Sequence, residues 1–206
     1  MAPVRYLALG DSYTIGTGAS SESANFPSRL ARRLEAALGG RVEVQNPAVN
    51  GYTTRDLIER ELPQVQIAPD LCTILIGAND IVQGVSREAY QRNLGAIYDF
   101  VWQLRLEPGK VVGLSIPDFS AVPAATPFGT PDALRQRIGA FNAAARAEAG
   151  RRGFAFVDLT EITSARPERP GWLADDGLHP SHAQYAAWAD FLWPRLEPVW
   201  VGAPPS

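Results

Sequence analysis

Lysine is almost missing from this 206-residue chain: Lys110 is the only one, and every other basic side chain is an arginine. That scarcity removes Schiff-base chemistry and the phosphate-binding lysine of nucleotide loops from most of the molecule. Cysteine is as rare. Cys72 stands alone inside the apolar run LCTILI, which excludes a disulfide framework and reads as a small buried hydrophobe. The two histidines, His179 and His182, are too few for a three-histidine zinc site, one cysteine is too few for a thiolate site, and no EF-hand loop is present. The formal net charge is only -3 and the arginines are scattered, so no basic footprint for nucleic acid exists. No run is long enough to span a membrane. The opening MAPVRYLALGDS passes from a short apolar stretch straight into a Gly-Asp-Ser turn, the pattern of a first strand rather than a secretory leader. The expectation is a cytoplasmic protein with no nucleic-acid partner and no transmembrane segment, its oligomeric state left open.

What the chain does contain is enough apolar residue, 46%, to bury a substantial core, and its length suits one domain over 1–206. Short β-rich runs alternate with longer segments of helical periodicity. The runs are Val4–Leu9, Val42–Gln45, Leu71–Ile76, Val111–Ile116 and Phe154–Asp158, compact and mostly apolar as buried parallel strands are. Between them FPSRLARRLEAAL, TTRDLIERELPQV, SREAYQRNLGAIYDFVWQLR and PDALRQRIGAFNAAARAEAG repeat apolar positions at steps of three and four. Thr54, Ser86 and Thr130 suit helix caps, Gly39, Gly150 and Gly153 suit stops, and a terminal helix is expected to break near Pro194. The alternation predicts a three-layer α/β/α fold with a five-stranded parallel sheet, and five such strands fit the flavodoxin-like order 2-1-3-4-5. Ligands in such sheets bind beyond the carboxyl ends of the strands at the switch point, where GDSYTIGTG, NPAVNGYTT and GANDIVQG would meet.

Each of those loops offers a group with chemical use. Ser12 follows the first strand and Asn79 the third, while Gly51 can present a bare amide. Ser12 and Asp11 also have an ordinary reading, as residues that cap a turn. A base is needed for more, and both histidines lie in LADDGLHPSHAQY. Asp176 precedes His179 by three residues, a spacing that can fold a carboxylate back onto the imidazole, with Asp175 as its alternative and His182 as the understudy of His179. Pro180 holds His179 out of helical geometry. Ser115 in GLSIP lacks the closing glycine of a nucleophile elbow and reads as a core serine. Asp80 reads as a cap or supporting carboxylate. Gly16 and Gly18 could cradle a phosphate but have no nearby lysine.

Taken together, Ser12 in GDS, Gly51 in NG, Asn79 in GAND, and Asp176 with His179 in DGLH resemble the four ordered blocks of the GDSL, or SGNH, hydrolases, a family of serine esterases and lipases. Tyr13 departs from the leucine of the family name. The resemblance implies that Ser12 is the nucleophile, His179 the general base and Asp176 the group that orients it. It further implies an oxyanion hole built from the amides of Ser12 and Gly51 and the side chain of Asn79, and no cofactor or metal.

The expected substrate is a small-molecule carboxylic ester. The Pro-rich stretch PDFSAVPAATPFGTP, residues 117–131, is apolar and could wall a pocket for a short acyl group. A catalytically silent protein, or a flavin- or nucleotide-binding protein on a flavodoxin-like sheet, is the alternative, with GTGAS as its phosphate loop.

Overall fold

The computed structural model describes residues 2–66, 68–164 and 169–202. Five strands, β1 (Val4–Gly10), β2 (Val42–Gln45), β3 (Leu71–Leu75), β4 (Val111–Leu114) and β5 (Ala155–Val157), form one sheet in the order β2-β1-β3-β4-β5. All four pairings are parallel, as the buried apolar runs require. The last three strands are shorter than their apolar runs. Ile76, Ser115 and Ile116 lie past the ladder yet remain buried, because the chain is still crossing the core where it leaves the sheet.

The helices are α1 (Ser12–Ile15), α2 (Phe26–Leu38), α3 (Thr54–Asp56), α4 (Ala78–Val82), α5 (Arg87–Gln103), α6 (Pro131–Arg151), α7 (Thr160–Thr163) and α8 (His182–Trp200). Two pairs supply most of the cover, α2 packed on α8 and α5 packed on α6. Asn25, Ser86 and Thr130 accept backbone amides at the starts of α2, α5 and α6. At α3 the cap is Thr53 rather than Thr54. The Thr53 hydroxyl accepts the Asp56 amide while the Asp56 carboxylate accepts the Thr53 amide, a reciprocal box that leaves Thr54 turned inward.

Two further expectations need correction. Gly150 does not stop its helix; α6 runs on to Arg151, and the left-handed residue is Gly153 at φ 69°. Nor does α8 break at Pro194. It continues through Pro194 and Pro198 to Trp200, because Trp188, Leu192, Leu196 and Trp200 form one buried stripe whose packing outweighs the lost backbone bonds. After α3 the chain does not stay α-helical: Leu57–Glu61 forms a π-helical turn that delivers Glu61 into the core.

Candidate active site

β1 ends at Gly10, and the approach there is too close for any side chain. A Cβ on Gly10 would stand 2.2 Å from Thr14 Oγ1 and 2.3 Å from the Leu75 carbonyl oxygen. Immediately beyond it Asp11 caps α1, accepting the Tyr13 amide at 3.1 Å, so Ser12 occupies the first helical position. A first-turn amide has no acceptor within its own helix, which leaves the Ser12 N–H available to an incoming oxygen. Side chains close the other end of this one-turn helix. Asn46 Nδ2 donates to the Thr14 carbonyl at 2.9 Å and Asn25 Nδ2 to the Ile15 carbonyl at 3.1 Å.

Asn79 sits at the start of α4, after β3. Its Nδ2 donates to the Tyr52 carbonyl at 3.0 Å and approaches Asp11 Oδ2 at 3.4 Å, so the loops after β1, β2 and β3 are tied at one side-chain amide. Gly51, next to Tyr52, is exposed and left-handed at φ 82°, with its carbonyl accepting from Gln83. Asp80 faces the other way. It is buried and accepts both the amide and the hydroxyl of Thr54, at 2.9 and 2.5 Å, which makes it a brace between α4 and α3.

Asp176 and His179 share one turn. The ring Nδ1 of His179 lies 2.6 Å from Asp176 Oδ2, while Oδ1 of the same carboxylate accepts the amides of Leu178 and His179, each at 2.9 Å. Partial burial would raise the Asp176 carboxyl, but these bonds from His179 and Leu178 outweigh it and hold the group below the usual carboxylate range. Asp175 is exposed. His182 is exposed at the first position of α8, where Ser181 is the cap. Gly18 lies against the histidine turn at φ 87°; a Cβ there would stand 2.6 Å from the Pro180 carbonyl and 3.3 Å from His179 Cβ. Gly16 ends α1 in a left-handed conformation. Both glycines of the suspected phosphate loop therefore have structural duties.

Ser12, Asn79 and His179 line one cleft of about 100 Å³, together with Tyr13, Val82 and two aromatic rings, Phe119 and Phe128. Gly51 is not among the lining residues, and Asp176 reaches the cleft through His179. Phe119 and Phe128 come from the Pro-rich loop after β4, as the expected pocket wall requires. The aromatic floor at Tyr13 and the acids beneath it were not foreseen. The Tyr13 and His179 ring centroids are 5.9 Å apart.

Beneath the Ser12 turn the structure buries two carboxyl groups. Burial, reinforced by the neighbouring Asp80, pushes Asp11 up to about 7 against its bond from Tyr13. Burial and the charge of Asp11 push Glu61 up to about 8, although its Oε2 accepts the Gly10 amide at 3.1 Å. Ser115 is a core residue, its hydroxyl accepting the Leu159 amide at 2.7 Å. Among the described residues no group of three or more His, Cys, Asp or Glu could hold a metal ion, and no helix is long and apolar enough to cross a membrane.

The model of a family described as GDSL-like lipase/acylhydrolase matches residues 8–187. A lipase of Streptomyces rimosus is 30% identical over 219 aligned positions, covering 85% of this chain and 80% of that protein. Among solved structures, a lipase/acylhydrolase from Enterococcus faecalis superposes with a TM-score of 0.71 at 23% identity, covering 94% of this chain and 95% of the other. The psychrotrophic esterase EstA from Pseudoalteromonas, in a structure inhibited by monoethylphosphonate, gives a TM-score of 0.73 at 17% identity, covering 97% and 99%. At those identities the two structures speak for the fold.

Proposed function

The chain belongs to the GDSL-like lipase/acylhydrolase family, and we propose that it cleaves small carboxylic esters through an acyl-enzyme formed on Ser12. The observation that carries this reading is the single cleft onto which Ser12, Asn79 and His179 converge from three distant parts of the chain. Ser12 Oγ attacks the ester carbonyl carbon, and its proton passes to Nε2 of His179. With Nδ1 engaged by Asp176, the neutral ring carries its hydrogen on the Asp176 side and presents Nε2 as the acceptor. The imidazolium that forms is stabilised by the ionised carboxylate, and it then returns the proton to the departing alcohol.

The developing oxyanion takes hydrogen bonds from the Ser12 and Gly51 amides and from the Asn79 side chain. Because the Tyr52 carbonyl engages one Asn79 N–H, the amide is oriented before substrate arrives, the condition under which such donors favour the transition state over the ground state. Water attacks the acyl-enzyme along the same route, with His179 again as base. The modest cleft and its apolar rings favour a short acyl group.

An acyl-enzyme has a kinetic signature. Rapid mixing with p-nitrophenyl acetate is expected to release a burst of p-nitrophenolate approaching one equivalent per enzyme before the steady rate, and Ser12→Ala is expected to abolish both phases. Hydrolysis that survives Ser12→Ala contradicts the proposal.

A further inference from the structure

Resting on the reading that Ser12 carries the acyl group, we infer that Phe119 sets the acyl-chain length the site accepts, by closing the cleft against a second chamber behind it. Tyr13, Phe119 and Leu178 line both spaces, the cleft of about 100 Å³ that holds Ser12 and a neighbouring chamber of about 20 Å³. They are a partition.

The far side of that partition is lined largely by apolar side chains. Trp172, Gln184 and Trp188 line the chamber together with Pro117, Val122 and Leu173. An acyl chain directed from Ser12 toward that wall meets the Phe119 ring. Removing the ring frees its own volume and joins the cleft to the chamber, whose lining is mostly apolar.

Of the three partition residues, Phe119 is the one that can vary without disturbing the histidine turn. Tyr13 packs its ring on His179 and on Trp188, and the Leu178 amide is bonded to Asp176. Phe119 is fully buried but belongs to the loop after β4, which is pinned by its backbone and by its neighbours. The Phe119 carbonyl accepts the Val122 amide, the Asp118 amide donates to Thr163 Oγ1, and the Asp118 carboxylate accepts the Ser120 amide. Truncating the ring therefore removes a wall and leaves the loop's hydrogen bonds in place.

The test is kcat/KM on p-nitrophenyl acetate, butyrate, hexanoate and octanoate for the parent protein, Phe119→Ala and Phe119→Leu. The octanoate-to-acetate ratio is taken within each variant, so that a loss of folded protein cancels. Phe119→Ala is expected to raise that ratio at least about tenfold, the order that a few methylenes command in a pocket, with Phe119→Leu in between. If the alanine variant does not fold, the leucine variant decides. A ratio unchanged from the parent in the folded variants overturns the inference. Ser12→Ala, measured alongside, separates the two ideas: activity surviving there defeats the acyl-enzyme reading, whereas a Ser12-dependent activity with an unmoved ratio defeats only the role of Phe119.

Discussion

The side-chain amide of Asn79 stands 3.0 Å from the carbonyl oxygen of Tyr52, a bond between the loop after β3 and the loop after β2. The same nitrogen is 3.4 Å from Asp11, the residue before Ser12. An asparagine that only formed a turn would bond within its own turn. This one bonds outward to the loop after β2 and borders the cleft.

Asn79→Ala is accordingly expected to lower kcat by about a hundredfold to a thousandfold, some 3 to 4 kcal/mol, with little change in KM, because the bond strengthens as charge develops on the carbonyl oxygen. Full kcat with a lowered melting temperature would make Asn79 a structural residue.

The two histidines are expected to behave differently. His179→Ala should be as damaging as Ser12→Ala, and the double variant no worse than either, since members of one catalytic unit are not additive. His182 is exposed on α8, and His182→Ala should keep most of the activity. Steady-state rates of the four variants check this, and the reverse ranking would move the base to His182.

Glu61 gives a prediction about pH and stability. Its folded pKa of about 8 lies above the unfolded value, so between roughly pH 4.5 and 8 the native state holds a proton that the unfolded chain releases. Stability contributed by that proton is complete below the unfolded pKa and is lost as pH rises through the folded one. Glu61→Gln keeps an acceptor for the Gly10 amide and removes the charge. Its melting temperature should fall less than the parent's between pH 5 and about 8.5, and parallel curves would show that Glu61 does not titrate there.

Gly18→Ala would place a methyl group against Pro180 and Ala174, at a backbone angle that side chains rarely adopt. The expected cost is about 1–3 kcal/mol of stability, with a lower kcat because the displaced turn carries His179. Gly39→Ala is the comparison, because nothing stands within 4 Å of a Cβ there and only the angle is unfavourable. Melting curves and kcat for both variants check the contrast; equal losses would mean that the packing at Gly18 does not matter.

Where the sequence announced the fold, it did so through local chemistry. The buried strands are continuous apolar runs, the caps at Ser86 and Thr130 sit before periodic segments, and alternation implies a parallel sheet without choosing its order. The cap at Thr53 was missed by one residue because two threonines are adjacent and only the reciprocal bond with Asp56 chooses between them. Pro194 misled because a proline signals a local break, whereas α8 is held by a buried stripe that only the assembled core reveals. Of the site, Ser12, Asn79 and His179 were legible from their loops. The burial of Asp11 and Glu61 was not, since their charge is typical of the surface and a π-helical turn has no sequence signature. The chamber behind Phe119 belongs to residues far apart in the chain, and nothing local marks it.

The most direct test of the central claim is covalent labelling with an ethyl phosphonate ester, followed by mass spectrometry of the peptides. The account predicts one equivalent of adduct on Ser12, inactivation in proportion to labelling, and no adduct on Ser12→Ala. Labelling on Ser115 or Ser181, or full activity with Ser12 modified, would contradict it.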